Sequence, residues 1–245
     1  MSRKKSPPPK QAAPSAGRWL RWTLLILLAL LLLPILQVGC VRIVDPPTTT
    51  PMLLRQAGEK LGGGHSPLRP AEWLDLREMP ADFLKFVFVA EDQRFFLHHG
   101  FDWRQIEISR RQAARKGRTP RGASTITQQC ARSLFLWQGR SWVRKGIEAY
   151  YTVWMELLLP KRRILELYAN VVEMGDGVYG VQAAARHHYG VPARELTREQ
   201  SAMLAALLPA PRQWNPRNPS PKLAARVQKL LRTEKEVQFP LKVER

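Results

Sequence analysis

The chain of 245 residues carries 39 Lys and Arg against 20 Asp and Glu, a formal charge of +19, and 44% of it is hydrophobic. Eight Trp, eight Phe and five Tyr are too many buriable rings for a wholly disordered polymer, and the length suits one ordinary domain with an appendage. Two cysteines exclude a disulfide framework and a four-cysteine zinc site, and no fixed-period repeat points to a solenoid or propeller.

Residues 1–21 hold Arg3, Lys4, Lys5, Lys10, Arg18 and Arg21, no acid, and four prolines that keep the tail from forming a helix interior. Residues 22–41 then run without a charge, with eight leucines between Leu24 and Leu33. Twenty helical residues at ~1.5 Å each span roughly 30 Å, the hydrocarbon thickness of a bilayer. Trp19 and Trp22 stand where interfacial anchors belong, and the basic tail is expected to stay cytoplasmic by the positive-inside rule. An uncleaved single span is favoured over a signal peptide. The apolar stretch exceeds a signal peptide's ~7–15 residues, and Gln37-Val38-Gly39-Cys40 only half resembles a lipoprotein processing site. Residues 42–70, rich in Pro, Thr and Gly, read as a spacer, and residues 71–245 as the catalytic body on the far side of the membrane.

Within the body, Pro70 and Pro80 interrupt a loop and short helix, and Phe83–Phe96 is apolar on most sides with Glu91 and Asp92 inside it. Basic residues cluster in the Ser109–Arg121 stretch, which reads as a solvated loop. Such a surface could bind nucleic acid, but an extracytoplasmic place disfavours that and points to anionic lipid or a pyrophosphate-bearing substrate. Trp142–Leu159 reads as a helix closed by Pro160, and Lys161–Val172 as a second. Thr197 and Gln200 have capping-box spacing before a helix that Pro209 stops, and Ser220-Pro221 opens the last one. Few segments alternate as strands do, so the body is expected to be mainly α.

Three islands carry chemistry. Glu91-Asp92 lies beside aromatic rings, where lost hydration raises a carboxyl pKa and makes it a usable base near neutral pH. Gly122–Gln129 is dense in hydroxyls and amides, which suit either a polyhydroxylated ligand or a helix start. Arg140, Arg144 and Glu148 share a helix face, a spacing that by itself is most simply a surface ion pair.

In series, EDxxFxxHxG at Glu91–Gly100, GxSTITQQ at Gly122–Gln129, RKxxE at Arg144–Glu148 and KxxILExYxN at Lys161–Asn170 resemble the successive motifs of the family 51 glycosyltransferases, the peptidoglycan polymerases that act on lipid II. Arg226, Leu230 and Leu231 are similar to a fifth, weaker motif, and the resemblance covers roughly residues 70–235. It implies a lysozyme-like helical domain with a small membrane-associated jaw, the apolar residues around Phe83–Phe88 being the ones expected to enter the bilayer. It also implies inverting transfer of a glycan from its undecaprenyl pyrophosphate.

Carried over by residue, Glu91 is the general base for the acceptor GlcNAc 4-hydroxyl, and Glu148 a second carboxylate at the leaving-group side. Arg132, Arg140, Arg144 and Lys145 would neutralise the pyrophosphate. Ser124, Thr125, Gln128, Gln129 and Arg226 would hold donor sugars or phosphate. Asp92, Phe95, His98 and Gly100 of the first motif join the substrate-binding set, His98 as an organiser of the active-site loop. The implied partners are lipid II, the growing glycan strand, membrane lipid and proteins of cell-wall synthesis or division, with no nucleic acid. The implied location is the inner membrane, with the catalytic domain periplasmic.

Arg132 stands where the family usually has Lys, so a planar fork replaces a point donor, and Ser133 stands for a usual Asn. Ala169 for Leu should touch packing only. Cys130 reads as a buried thiol. The histidines (His65, His98, His99, His187, His188) show no HExxH spacing, so no histidine metal site is expected. A divalent cation, Mg or Mn, bridging pyrophosphate and carboxylate is compatible with the chemistry, but no spacing shows one. Ser2–Lys5 is the only Ser-x-x-Lys and Lys-Thr-Gly is missing, so a monofunctional enzyme without transpeptidase activity is expected. Two rivals remain at this stage: a glycan-cleaving enzyme of lysozyme-like fold, and a non-enzymatic membrane protein with an anion-binding basic face.

Overall fold

The computed structural model describes residues 16–62, 72–119, 122–139 and 141–241. The basic tail before residue 16, His65 and most of the Gly-rich stretch, Arg121 and Arg140 therefore lie outside the described residues. Among the described residues the architecture is mainly α, as the sequence implies, with ten α-helices and one two-stranded hairpin.

Helix α1 (Ala16–Ile43) begins six residues before the uncharged run and spans about 42 Å at ~1.5 Å per residue. Trp19, Trp22 and the leucines from Leu24 to Leu33 are exposed all round, whereas Val38 and Val41 are buried against the body. It is the one helix among the described residues long and apolar enough to cross a bilayer. Its carboxyl end is seated on α6 (Trp142–Leu158). Tyr150 Oη donates to the Leu31 carbonyl at 2.8 Å, and the Tyr151 hydroxyl to the Gln37 amide oxygen.

The spacer reading of residues 42–70 is corrected in part. Thr50–Lys60 forms helix α2, and Pro51 in its first turn, where a missing N–H costs nothing, is a start signal and not a breaker. Arg55 of α2 is buried and pairs with Asp176 at 2.9 Å, fastening α2 to the hairpin while the helix also lies on α5 (Ile126–Phe135).

Helix α3 (Ala81–Glu91) is apolar on most sides because it runs through the core, packed on α9 (Arg198–Leu207), with only Asp82 and Lys85 interrupting its apolar run before Glu91. Phe83, Leu84, Phe86, Val87 and Phe88 are all buried in protein, so they are not the residues that could enter a bilayer, and that expectation is overturned. The exposed large apolar side chains of the body lie elsewhere. Trp142, 92% exposed, with Val143, Val153 and Leu157, is carried by α6, the helix that seats α1.

Helix α4 (Trp103–Arg115) replaces the expected loop over much of the basic stretch. Asp102 caps it by accepting from Gln105 N at 3.0 Å, and Arg110, Arg111 and Arg115 ride its exposed side. Helix α7 (Lys161–Val171) lies against α5, and its polar face clips two distant segments. Asn170 accepts from Leu74 N at 3.0 Å and donates to Leu74 O at 2.9 Å, as a strand neighbour would. Arg163 donates to Val41 O at 3.0 Å and pairs with Asp45 at 2.7 Å, holding the exit of α1.

After α7, β1 (Glu173–Gly175) and β2 (Val178–Tyr179) pair antiparallel, Glu173 facing Tyr179, in a hairpin too short to leave a period in the sequence. Helix α8 (Val181–Tyr189) follows. Helices α9 and α10 (Pro221–Thr233) start at Thr197 and Ser220 caps, as their sequences predict.

Gly180, at φ +80°, joins the hairpin to α8 where an added Cβ would lie 2.4 Å from Asn170 O. Gly180→Ala should therefore destabilise by about 1–3 kcal/mol, read as a lowered thermal midpoint. Gly146→Ala, facing open space on α6, should be neutral or stabilise by up to about 1 kcal/mol in the same melt.

Candidate active site

Glu91 ends α3, and Asp92 turns the chain out of the helix with φ −161°. The Asp92 carboxylate is nearly buried and serves two segments. It accepts from Ile126 N at 3.1 Å and from His98 Nε2 at 3.0 and 3.1 Å. Thr125 caps α5 in a reciprocal box with Gln128 and donates through Oγ1 to Gly100 O at 2.7 Å. The first two motifs are thus tied together by their own side chains, which brings Glu91 against Gln129.

Five of the expected substrate contacts have structural duties in this geometry. Asp92 is engaged by His98 Nε2 and Ile126 N, while the buried His98 Nδ1 has no hydrogen-bond partner among the described residues. Phe95 is fully buried, with the Lys161 ammonium 4.4 Å from its ring centroid. Gly100, at φ +87°, is demanded by Thr152 Cγ2, which an added Cβ would meet at 2.7 Å. Gln128 gives its amide oxygen to the Thr125 N–H. Phe95, His98, Gly100 and Gln128 border neither of the two cavities that flank Glu91 and Gln129, whereas Asp92 also borders the one beside Glu91. Thr125 serves the same framework, although it also borders the cavity beside Glu91.

Glu91 accepts from Gln129 Nε2 at 2.9 Å and from Arg226 Nη2 at 3.1 Å. Tyr168 Oη donates to Gln129 Oε1 at 3.1 Å, which fixes the amide so that its NH2 faces Glu91. Burial raises the Glu91 pKa above the ordinary carboxylate value. The Gln129 hydrogen bond and the charges of Arg226 and Arg132 pull back against that rise, while Asp92 adds to it. A carboxylate held this way is a base of useful strength.

Two cavities flank the Glu91–Gln129 pair. One, of about 290 Å³, is bordered by Glu91, Ser124, Thr125, Asp102 and Gln105. The other, of about 480 Å³, is bordered by Gln129, Arg132, Ser133, Arg144, Glu173 and Arg212, so three guanidinium groups line it. Arg212 sits in a proline-rich turn with no sequence signal of its own, positioned by Glu173 Oε1 at 2.9 Å. Tyr168 was likewise legible only as part of a helix motif, because its partner lies 39 residues away.

Glu148 lies deepest of the expected charged residues. It is fully buried and borders neither cavity. Arg144 Nη1 binds it at 2.6 Å and Lys145 also pairs with it. The surface-pair reading fails for the same reason. A carboxylate this deep is tolerable only when paired and hydrogen-bonded, and here it holds Arg144 toward the second cavity. Arg140, expected in this set, lies outside the described residues. Among the described residues no three of His, Cys, Asp and Glu converge as a metal cluster. Cys130 is fully buried and its thiol pKa is pushed up by desolvation.

A desolvated carboxylate on one side and an arginine-lined hollow on the other suit an enzyme that moves a sugar away from an anionic leaving group. The family model described as Transglycosylase matches residues 63–235. A biosynthetic peptidoglycan transglycosylase of Xanthomonas campestris pv. campestris (strain B100) is 51% identical over 213 residues, covering 86% of each chain. One of Xylella fastidiosa (strain 9a5c) is 47% identical over 203 residues, covering 83% of each. The chain belongs to the transglycosylase family and is a glycosyltransferase.

Were Glu91 the base, it would have to be ionised to accept a proton, and activity should fall as pH drops through its raised pKa. Gln129→Leu removes an interaction that lowers that pKa, so the acidic limb of the kcat/KM profile should move to still higher pH. An unmoved limb would detach Glu91 from the rate profile.

Proposed function

We propose that this enzyme polymerises lipid II into peptidoglycan strands. The acceptor sugar enters the cavity bordered by Glu91 and Ser124, and the pyrophosphate of the donor enters the one bordered by Arg132, Arg144 and Arg212. Glu91 takes the proton of the acceptor 4-hydroxyl as that oxygen attacks the donor's anomeric carbon. The bond from that carbon to the pyrophosphate oxygen breaks with inversion, and the leaving anion meets the guanidinium groups. Lys145 adds charge at the same end, and Glu148 acts through Arg144 and Lys145 as a positioning residue. The observation that carries this reading is the placement of a desolvated base and a cationic cavity on opposite sides of one glutamine. A glycan-cleaving enzyme needs the first and has no use for the second.

The same reading places α1 across the inner membrane with the basic tail cytoplasmic and the body periplasmic. The exposed apolar side chains of α6 then face lipid, which would keep the pyrophosphate cavity near the headgroups from which the substrate is drawn. The absence of Lys-Thr-Gly supports strand synthesis without crosslinking.

Detergent-solubilised protein with labelled lipid II should yield penicillin-insensitive strands. Glu91→Gln should lower the rate by about 10²–10⁴-fold with substrate binding largely kept, since an amide cannot take the proton. Shortening of preformed glycan in place of chain growth would move the assignment to cleavage. At Arg132, Lys should retain more activity than Ala where charge is what counts, whereas equal losses would mean that bidentate geometry is required.

A further inference from the structure

Beside the two cavities lies a third concavity, of about 560 Å³, which the reaction as described leaves unused. Pro209, Ala210 and Ala225 give it an apolar floor and the Trp214 ring a flat wall. Its charges are all of one sign. Lys222, Arg226 and Lys229 recur at i, i+4 and i+7 along α10, so they share one helix face, and no carboxylate borders the hollow. Lys222 Nζ lies 5.8 Å from the Trp214 ring centroid, and among the described residues neither lysine is paired with an acid.

The concavity is continuous with the site. It shares Pro209 and Ala210 with the arginine-lined cavity and Arg226 with Glu91. Arg226 is occupied by Glu91 and Ala206 O, which leaves the two lysines as the free charges facing the hollow. Its ligand should therefore be anionic, partly apolar, and attached to whatever fills the pyrophosphate cavity.

Resting on the lipid II reading, we infer that this concavity is a subsite for the carboxylate-bearing peptide stem of the donor. The stem hangs from the very sugar whose anomeric carbon carries the pyrophosphate, so it begins within one sugar ring of the arginine-lined cavity. Lys222 and Lys229 meet its carboxylates, and Trp214 with Ala210 takes the apolar flank of the peptide. Lys222, Lys229 and Trp214 are thus specificity-determining residues for a reaction whose chemistry they do not touch.

The test is a binding comparison that requires no turnover. A soluble disaccharide bearing the pentapeptide stem, and the same disaccharide with the stem removed, are titrated by calorimetry into the detergent-solubilised full chain. Wild type should bind the stem-bearing sugar about three- to tenfold more tightly, the range expected of two solvent-screened ion pairs. Lys222→Ala/Lys229→Ala should abolish that preference, and Lys222→Glu/Lys229→Glu should reverse it, with unchanged thermal midpoints because both side chains are exposed. Equal affinity for the two sugars in wild type, or a preference that survives charge reversal, overturns the subsite. A failure of the polymerase reading would appear separately, as wild-type protein that makes no strand from lipid II.

Discussion

The site depends on one buried carboxylate. Asp92, just past the end of α3, accepts from the first N–H of α5, 34 residues on, and from His98, so three segments meet at one side chain. An ionised group out of water is held only by such donors, and leaving any of them unmade costs about 1–3 kcal/mol. That requirement makes the junction rigid. Because Glu91 precedes Asp92 and Gln129 lies one helical turn into α5, closing the junction places base and amide within hydrogen-bond reach.

The same economy recurs at the other end. Glu148, wholly buried on α6, is tolerated because Arg144 and Lys145 satisfy it, and in exchange it fixes where their positive charge points. Tyr168 performs the neutral version of this service for Gln129. The side chains that border the cavities are braced by buried neighbours, which is how a site keeps its geometry without substrate present.

Helix α7 extends this bracing toward α1. One face packs on α5, and its polar residues hold both the Leu74 segment and the exit of α1. With Tyr150 and Tyr151 of α6 bonded to α1, the apolar helix is a fixed part of the body and not a tether. The helix that carries Arg144 and Glu148 is therefore also the helix that sets the body against the span.

Much of this was legible in the sequence where the signal is local. Caps at Thr125, Thr197 and Ser220, the uncharged run before Val41, and the motif order at Glu91, Gly122, Arg144 and Lys161 all depend on residues a few positions apart. Misreadings arose where the same local pattern has two uses. Pro51 opens a helix as readily as it breaks one, and Phe83–Phe88 is equally apolar whether its neighbours are lipid or other helices. The helix content, the membrane-length span and the identity of the carboxylate beside apolar walls were determined by sequence alone, because helix periodicity and hydration act on neighbours along the chain. Only the tertiary structure decided that Phe95, His98, Gly100 and Gln128 border neither cavity, that Glu148 is buried against Arg144 and Lys145, and that Arg212 and Tyr168 lie beside the predicted residues. Burial and long-range hydrogen bonding are properties of which helices meet, and no spacing within one helix records them.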